Sequence, residues 1–587
     1  MKVKEIVNYI MVILLIVSLS SGVYGCYTYG QQVKVFRVGW GGTSFDTFNP
    51  FTTYAAISSW STLNVYSRLV RIASDLKSFV PDLAEKWEVI GDNTVRFHLV
   101  KNATFHDGKP VTAYDVEYSF KLSAEPWSAR ISSVKMVKEI KVVDSYTIEF
   151  DVTSVPLFFT EAASTVPIVP KHIWSNVSDP STYDANPPIG SGPLKVTEYK
   201  EGQYIVLEPY KNFYYKKWLP KVDRIIIKFY SDVTSATNAL LSGEVDAVGP
   251  YIPISLYETL AKNPQFKVFK SPGTMYFYLA FNVDPEGTGN PTLRDRLVRK
   301  ALAYAINIEY LCSVAWPNYS KPIANPLPTS NIFYNSNLKV RPFNQSLAVK
   351  ILDEAGYRVG SSGVRFSPDG VEMKYTILVP NKFPEAVNAA QLIAKWWSSI
   401  GVSTTVKPMD TGSMSSIIWQ KVDDKIKLGH DIDLWDWFVD PISATHFEVF
   451  VSDRKILGIS DSGYNNSEYD NLFNKIYEAK TMDELKDVAY KLQEMVYRDL
   501  PYLPLCEIQP IQAHNAKFTG FDYNWPGGPF SGSDWRVFIS VAFVEEVQPT
   551  ESTRPTSTSL TTYTTYLVIA IVIIVAVVAL LFLRRRG

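Results

Sequence analysis

Short runs of alternating apolar and polar residues, bounded by Gly, Pro and Asn, make up most of the chain. Val33–Val38 predicts a first strand that opens into Trp40-Gly41-Gly42-Thr43-Ser44-Phe45-Asp46, a loop with two glycines. Val95, Phe97 and Leu99 alternate with polar neighbours, the period of a half-buried strand. Asp107-Gly108 marks a turn, and Thr112 with Asp115 three residues on predicts a capping box that opens a helix. Lys141–Val152 predicts a strand pair. Tyr204–Glu208 and Arg224–Tyr230 read as strands, Asp232–Leu241 as a helix closed by Gly243, and Val245–Val248 as the next strand. Strand, helix and strand in about 25 residues form a βαβ unit, which implies a parallel sheet.

The second half continues the alternation. Tyr276–Val283 is a strongly apolar strand. Leu293–Asn307 predicts one amphipathic helix, with Leu293, Leu297, Val298, Ala301 and Ala305 on its buried face. Ser346 is expected to cap Leu347–Ala355, with Gly356 ending it. Met373–Val379 and Ser403–Lys407 predict strands around a helix over Glu385–Ile400. Asp431–Phe438 is a strand running into Asp440-Pro441. Thr481 and Glu484 open a helix to Leu500 with Val488, Leu492, Met495 and Val496 as its buried stripe.

The two ends differ from this pattern. Lys2 and Lys4, the apolar run Tyr9–Val17 and the small residues Ser20, Ser21, Gly22 and Gly25 predict a secretory signal peptide over residues 1–25. Cys26 follows it, and its lipidation stays open. At the other end, 11 of the 19 residues from Gln548 to Tyr566 are Ser or Thr, which predicts an extended tether. Leu567–Leu583 carries no polar side chain, and Arg584, Arg585 and Arg586 follow. This reads as a single transmembrane helix of roughly 26 Å with its C-terminus cytoplasmic. Everything before it is then expected on the outer face of the membrane.

Composition narrows the rest. Residues 32–546 suffice for about two to four domains. A net charge of -1 gives no electrostatic ground for nucleic-acid binding. Of the three cysteines, Cys312 and Cys506 are read as buried free thiols, with a pair left open, because their spacing carries no framework signature. Sequons at Asn102, Asn176, Asn318, Asn344 and Asn465 would mark exposed loops.

Catalytic signatures are missing: there is no G-x-x-x-x-G-K-[ST], G-x-S-x-G or H-E-x-x-H. Ser132-x-x-Lys135 lacks the companions that would give it meaning. His430 with Asp431 and Asp433 is read as a solvated strand edge in preference to a metal corner. No cofactor or metal is expected. Polar residues amid aromatics do stand out. Trp435, Asp436, Trp437, Phe438 and Asp440 sit at one strand end, Trp40 and Phe45 flank the first glycine loop, and Tyr276 lies mid-chain. Rings offer flat faces for stacking, and a carboxylate beside them holds an ammonium or a hydroxyl.

Several segments together resemble one family, the solute-binding proteins of peptide-type ABC importers (family 5, oligopeptide/dipeptide/nickel type). They are PDLAEKWEV (Pro81–Val89), FHDGKPVTAYDVEYSF (Phe105–Phe120), GSGPLKV (Gly190–Val196), IVLEPYKNFY (Ile205–Tyr214), GEVDAV (Gly243–Val248), LVRKALAYAIN (Leu297–Asn307), AVKILDEAGY (Ala348–Tyr357) and LPYLPL (Leu500–Leu505). Leu194 replaces the Tyr common after G-[TS]-G-P. The tether and span resemble archaeal members.

The resemblance implies an α/β, two-lobed periplasmic-binding-protein-like clamp of type II with an extra subdomain. The first lobe would be residues 32–271 with the subdomain at 54–186, the second lobe 272–505, and the return to the first lobe 506–546. Crossings near Ser271–Thr274 and Leu503–Glu507 would form the hinge. Peptide-binding members pair an extended ligand with a strand, and an acidic residue holds its ammonium. Carried over, this implicates Trp40, Thr43 and Phe45 on one lobe and Trp435, Asp436, Trp437 and Asp440 on the other; Tyr276 joins the candidates from its aromatic surroundings alone. Asp440 is the expected ammonium anchor and Asp436 the fallback. No arginine stands out to take a carboxylate. The implied partners are an ABC permease and an oligopeptide, with an oligosaccharide as the alternative ligand. A surface hydrolase or a structural array fits less well, for want of a catalytic constellation or of repeats.

Overall fold

A computed structural model of the protein describes residues 33–544, apart from 43–44, 54, 423–424, 453–454, 456–457 and 532–534. The chain opens with β1 (Val35–Gly41), whose Phe36, Val38 and Trp40 point into the core. A Cβ on Gly41 would lie 2.5 Å from the backbone of Asp232, so glycine lets the next helix of this lobe abut the strand. An inserted antiparallel sheet follows, built from β2 (Ala84–Ile90), β3 (Thr94–Leu99), β4 (Val137–Asp144) and β5 (Thr147–Val152), in the order β2-β3-β5-β4. Helix α1 (Ala113–Ser123) lies between β3 and β4. Its capping box forms as expected: Asp115 accepts from the Thr112 N–H at 2.9 Å and from its hydroxyl at 2.8 Å.

The chain then completes a seven-stranded sheet. Its further strands are β6 (Leu194–Lys200), β7 (Tyr204–Pro209), β8 (Arg224–Tyr230), β9 (Ala247–Gly249) and β10 (Phe266–Lys270). Helix α2 (Val233–Leu241) links β8 to β9, and β1 pairs in parallel with both, giving the expected βαβ unit. The second sheet starts at β11 (Met275–Phe281). It continues through β12 (Ser320–Pro322), β13 (Lys374–Pro380), β14 (Ser403–Met409), β15 (Ile432–Phe438) and β16 (Tyr502–Ile508), in the order β12-β16-β11-β15-β13-β14. The last long strand, β17 (Ile511–Asn515), returns to the first sheet, whose order is β10-β17-β9-β1-β8-β7-β6. The chain therefore passes between the sheets at residues 271–274 and again at 509–510. The second crossing lies downstream of the expected one, because Leu503–Glu507 is built into β16.

Helix boundaries depart from expectation where a short polar residue caps a backbone N–H. Leu293–Asn307 is not one helix. Asp295 accepts from the Leu297 N–H at 2.8 Å and starts α3 (Arg296–Tyr304); Asn307 accepts from the Tyr310 N–H at 3.0 Å and starts α4 (Ile308–Ala315). Leu297 is 40% exposed as a result. Asn344, not Ser346, caps α5 (Gln345–Glu354), accepting from the Leu347 N–H at 2.8 Å. The next helix is α6 (Pro384–Ser398). In α7 (Met482–Asp499) the buried stripe is Leu485, Ala489, Leu492, Met495 and Val496, with Val488 only half-buried.

Two further expectations are corrected. Cys312 and Cys506 are disulfide-bonded. Packing of α4 on β16 brings their Cα atoms to 5.8 Å, within bridging range, although 194 residues separate them. The single-pass anchor on the extracellular face of the cell membrane is also withdrawn. Among the described residues no helix is long and apolar enough to cross a membrane. The apolar run 567–583 lies outside the described residues, as do the tether and the signal peptide.

Candidate functional site

The end of β15 organises the site. Along its whole length β15 pairs antiparallel with β11, from Ile432↔Phe281 to Phe438↔Met275. On its other side it pairs with β13 only at Ile432 and Asp433. Among the described residues, the edge from Leu434 to Phe438 has no strand partner there. A strand edge of this kind presents N–H and C=O groups that an added chain can take up.

Strand alternation sends Trp435 and Trp437 to one face and Asp436 and Phe438 to the other. Trp437 is held from behind. Its Nε1–H donates to the Tyr502 hydroxyl at 3.4 Å, and its ring lies 5.6 Å from that of His446. The Tyr276 hydroxyl is 3.1 Å from His446 Nε2, and Tyr276 itself is fully buried. Tyr278 and Tyr502 both donate to Asp461, the former at 2.7 Å. Burial pushes the Asp461 carboxyl up to about 8, with the charge of Asp433 adding to it. Burial alone pushes the His446 imidazole down to about 3.

Asp440 lies just past the strand, its carboxyl exposed to a cavity of about 190 Å³. Arg68, Arg71, Arg130, Trp525 and Trp535 line the same cavity. Enclosure raises the Asp440 pKa, opposed by the Ile442 N–H and then by Arg130. Arg71 is committed to the buried Asp82 at 2.7 Å, whereas the Arg68 guanidinium donates to the carbonyls of Thr165, Leu63 and Tyr66. The cavity thus has an anionic and a cationic part. Nothing in the local pattern signals the arginines, because Arg130 comes from the inserted segment and reaches the site only through the fold.

A second cavity, of about 340 Å³, opens on the Phe438 side of β15. Tyr251, Phe277, Trp316, Tyr319, Phe383 and Phe438 line it, joining residues that follow β9 to the start of α6. Asp436 shares the strand face of Phe438; burial pushes its carboxyl up to about 6, with Lys382 opposing.

The other expected residues are not brought here. Trp40 is 1% exposed and packs on Trp60 at 5.1 Å, so it is core. Phe45 packs against Phe48 and Tyr199 at 4.6 and 5.2 Å. Thr43 lies outside the described residues. His430 and Asp433, expected at a solvated edge, are fully buried side by side, with Nε2 and Oδ2 3.0 Å apart. The cause is that β15 is an interior strand at that level, flanked by β11 and β13. Among the described residues no group of three His, Cys, Asp or Glu is placed to hold a metal.

Residues 78–451 match the family described as bacterial extracellular solute-binding proteins, family 5 Middle. The chain is 26% identical over 511 residues to the glutathione-binding protein GsiB of Pectobacterium atrosepticum, covering 84% of this chain and 92% of that one. It is 24% identical over 507 residues to the peptide transport periplasmic protein SapA of Salmonella typhimurium, covering 81% and 87%. Among solved structures it is similar to the oligopeptide-binding protein AppA of Bacillus subtilis in complex with a nonapeptide, with TM-score 0.71 and 20% identity, covering 87% and 100%. The family match takes in the inserted segment and strands of both sheets, and the chain belongs to family 5 of the extracellular solute-binding proteins, which capture substrates for ABC transporters.

Proposed function

We propose that the protein captures oligopeptides in extended form and passes them to an ABC permease. The observation that carries this is the unpaired edge of β15 ending beside Asp440. An extended peptide adds its backbone to that edge as a further strand, and its α-ammonium sits on the Asp440 carboxylate. Trp435 and Trp437 form the wall behind it. Arg68 and Arg130 share the Asp440 cavity and suit a carboxylate of a short ligand. A sugar has neither a cation for Asp440 nor a backbone to pair with a strand edge, so the geometry favours peptide over oligosaccharide. The names of the relatives, for glutathione and for peptide transport, point the same way.

Calorimetric titration of the full-length protein tests the reading, with pentaalanine, N-acetyl-pentaalanine, maltopentaose and cellopentaose as probes. Pentaalanine binds, and acetylation or Asp440→Asn weakens it at least about 30-fold, as removal of one partner of an enclosed charge pair costs about 2 kcal/mol or more. Equal affinity for the free and acetylated peptides sinks the ammonium role of Asp440. Binding of a pentaose but of neither peptide sinks peptide capture.

A further inference from the structure

The cavity beside Phe438 has a composition that selects among peptides. Its back wall is aromatic: Phe277 stacks on Trp316 at 4.6 Å and meets Phe383 edge-on at 5.3 Å. Phe438 stands 58% exposed at its mouth. Asp232 and Glu385 line it directly, and Asp436 lies on the strand face that Phe277 and Phe438 present to it. Asp436 pairs in register with Phe277, so it rises beside that ring, and its Oδ1 is buried without a hydrogen-bond partner among the described residues. Glu385, in the first turn of α6, lies on the rim. Tyr251 lines the same cavity as Glu385. Lys382 is also on the rim, but its ammonium sits 4.8 Å over the Phe383 ring, and no ion pair joins it to Asp436.

A buried carboxylate oxygen without a donor is costly unless the occupant supplies one. The occupant must also cover ring faces on the way in. A long alkyl stem ending in a cation does both, because its methylenes pack on the rings and its head meets carboxylates and π-faces.

We propose that this cavity is a side-chain subsite for lysine or arginine in the bound peptide, with Asp436 and Glu385 taking the cationic head. The inference rests on the peptide reading above. Phe438 is two residues from Asp440, about 7 Å along extended chain. The basic residue therefore falls near the amino end of the ligand, within its first few positions.

The test is a calorimetric scan of the full-length protein with pentaalanine hosts carrying lysine, arginine, norleucine, phenylalanine or glutamate at positions two, three and four in turn. Norleucine keeps an alkyl stem and removes the charge. At one position lysine or arginine binds at least about tenfold more tightly than norleucine. Asp436→Asn and, separately, Glu385→Gln on the helix surface each shrink that ratio severalfold. Norleucine or phenylalanine equal to lysine at every position overturns the inference, as does a ratio that survives both substitutions. Binding of the alanine host with no preference overturns this inference alone, whereas no binding by any peptide overturns peptide capture with it.

Discussion

Breaking the Cys312–Cys506 bond has a calculable effect. It closes a loop of 194 residues within the part of the chain that builds the second sheet, joining α4 to β16. In the chain-entropy treatment a loop of that length restricts the unfolded chain by roughly 18 cal/mol/K, about 5 kcal/mol at 25 °C. Residual structure in the unfolded chain lowers this, so about 3–5 kcal/mol is the expected loss. The unfolding entropy near the midpoint is about 2.1 cal/mol/K per residue, or roughly 1 kcal/mol/K over some 500 residues. Reduction should then lower the melting midpoint by about 3–5 °C if the lobes unfold together. The assay compares oxidised protein, protein reduced under denaturing conditions and refolded with reductant present, and the Cys312→Ala/Cys506→Ala variant, each by calorimetry and urea titration. Thiols are counted in denaturant without reductant. Neither cysteine should react before reduction, and both should after it. Two reactive thiols in the unreduced, denatured protein would refute the bond outright. Equal midpoints for oxidised and reduced protein would refute the loop-entropy magnitude. Since α4 packs on β16 of the second sheet and the bond does not cross to the first, ligand affinity should not change, and a large change would mean that the bond restrains the crossing at 509–510.

Two other expectations follow from burial and close contact. Stability should peak near pH 6.5: His106, His430 and His514, pushed down to about 4, and His446, to about 3, bind fewer protons folded than unfolded, so stability falls as pH drops below the unfolded histidine value. Asp461 and Glu161, pushed up to about 8 and about 7, bind more protons folded than unfolded, so stability falls as pH rises toward 8. Melting midpoints across pH 4–9 should show the dome, and Asp461→Asn should flatten its alkaline side; a variant as steep as the parent there assigns that slope elsewhere. In the loop before β6, a Cβ on Gly190 or Gly192 would lie 2.0 Å from the Val65 carbonyl oxygen or 2.1 Å from that of Asn64. Gly190→Ala and Gly192→Ala should each cost about 1–3 kcal/mol in urea titrations, and an unchanged midpoint would show that the 64–65 backbone gives way freely.

What was legible in the chain was what repeats locally. The alternation in β3, β11 and β15, the Thr112–Asp115 box and the βαβ unit around α2 are each set by neighbours within a few residues. The eight family-like segments carried the lobe architecture, since their order holds even where each is weak. Long-range pairing was not legible. Cys312 and Cys506 meet because α4 packs on β16, and no spacing rule covers 194 residues. Asp433 is polar in a strand that is interior at its own level and an edge a few residues later, a change no period-two pattern records. Trp40 reads as a platform beside a glycine loop but turns inward onto Trp60. The Asn344 cap was missed because Asn and Ser two residues apart offer the same hydrogen-bond chemistry, and only the observed turn separates them.

The half-open edge of β15 also bears on solubility and on what is refused entry. A bare strand edge on a protein surface is a template for self-association. Here Tyr251, which follows β9 of the first sheet, and Phe383, just before α6 of the second, line the cavity beside it. A pre-formed sheet needs open space along its whole width to pair with such an edge, whereas a single extended chain needs only the strand spacing of about 4.8 Å. An edge placed in a cavity would therefore favour unfolded chains over folded ones before any side chain is read, and would limit self-association.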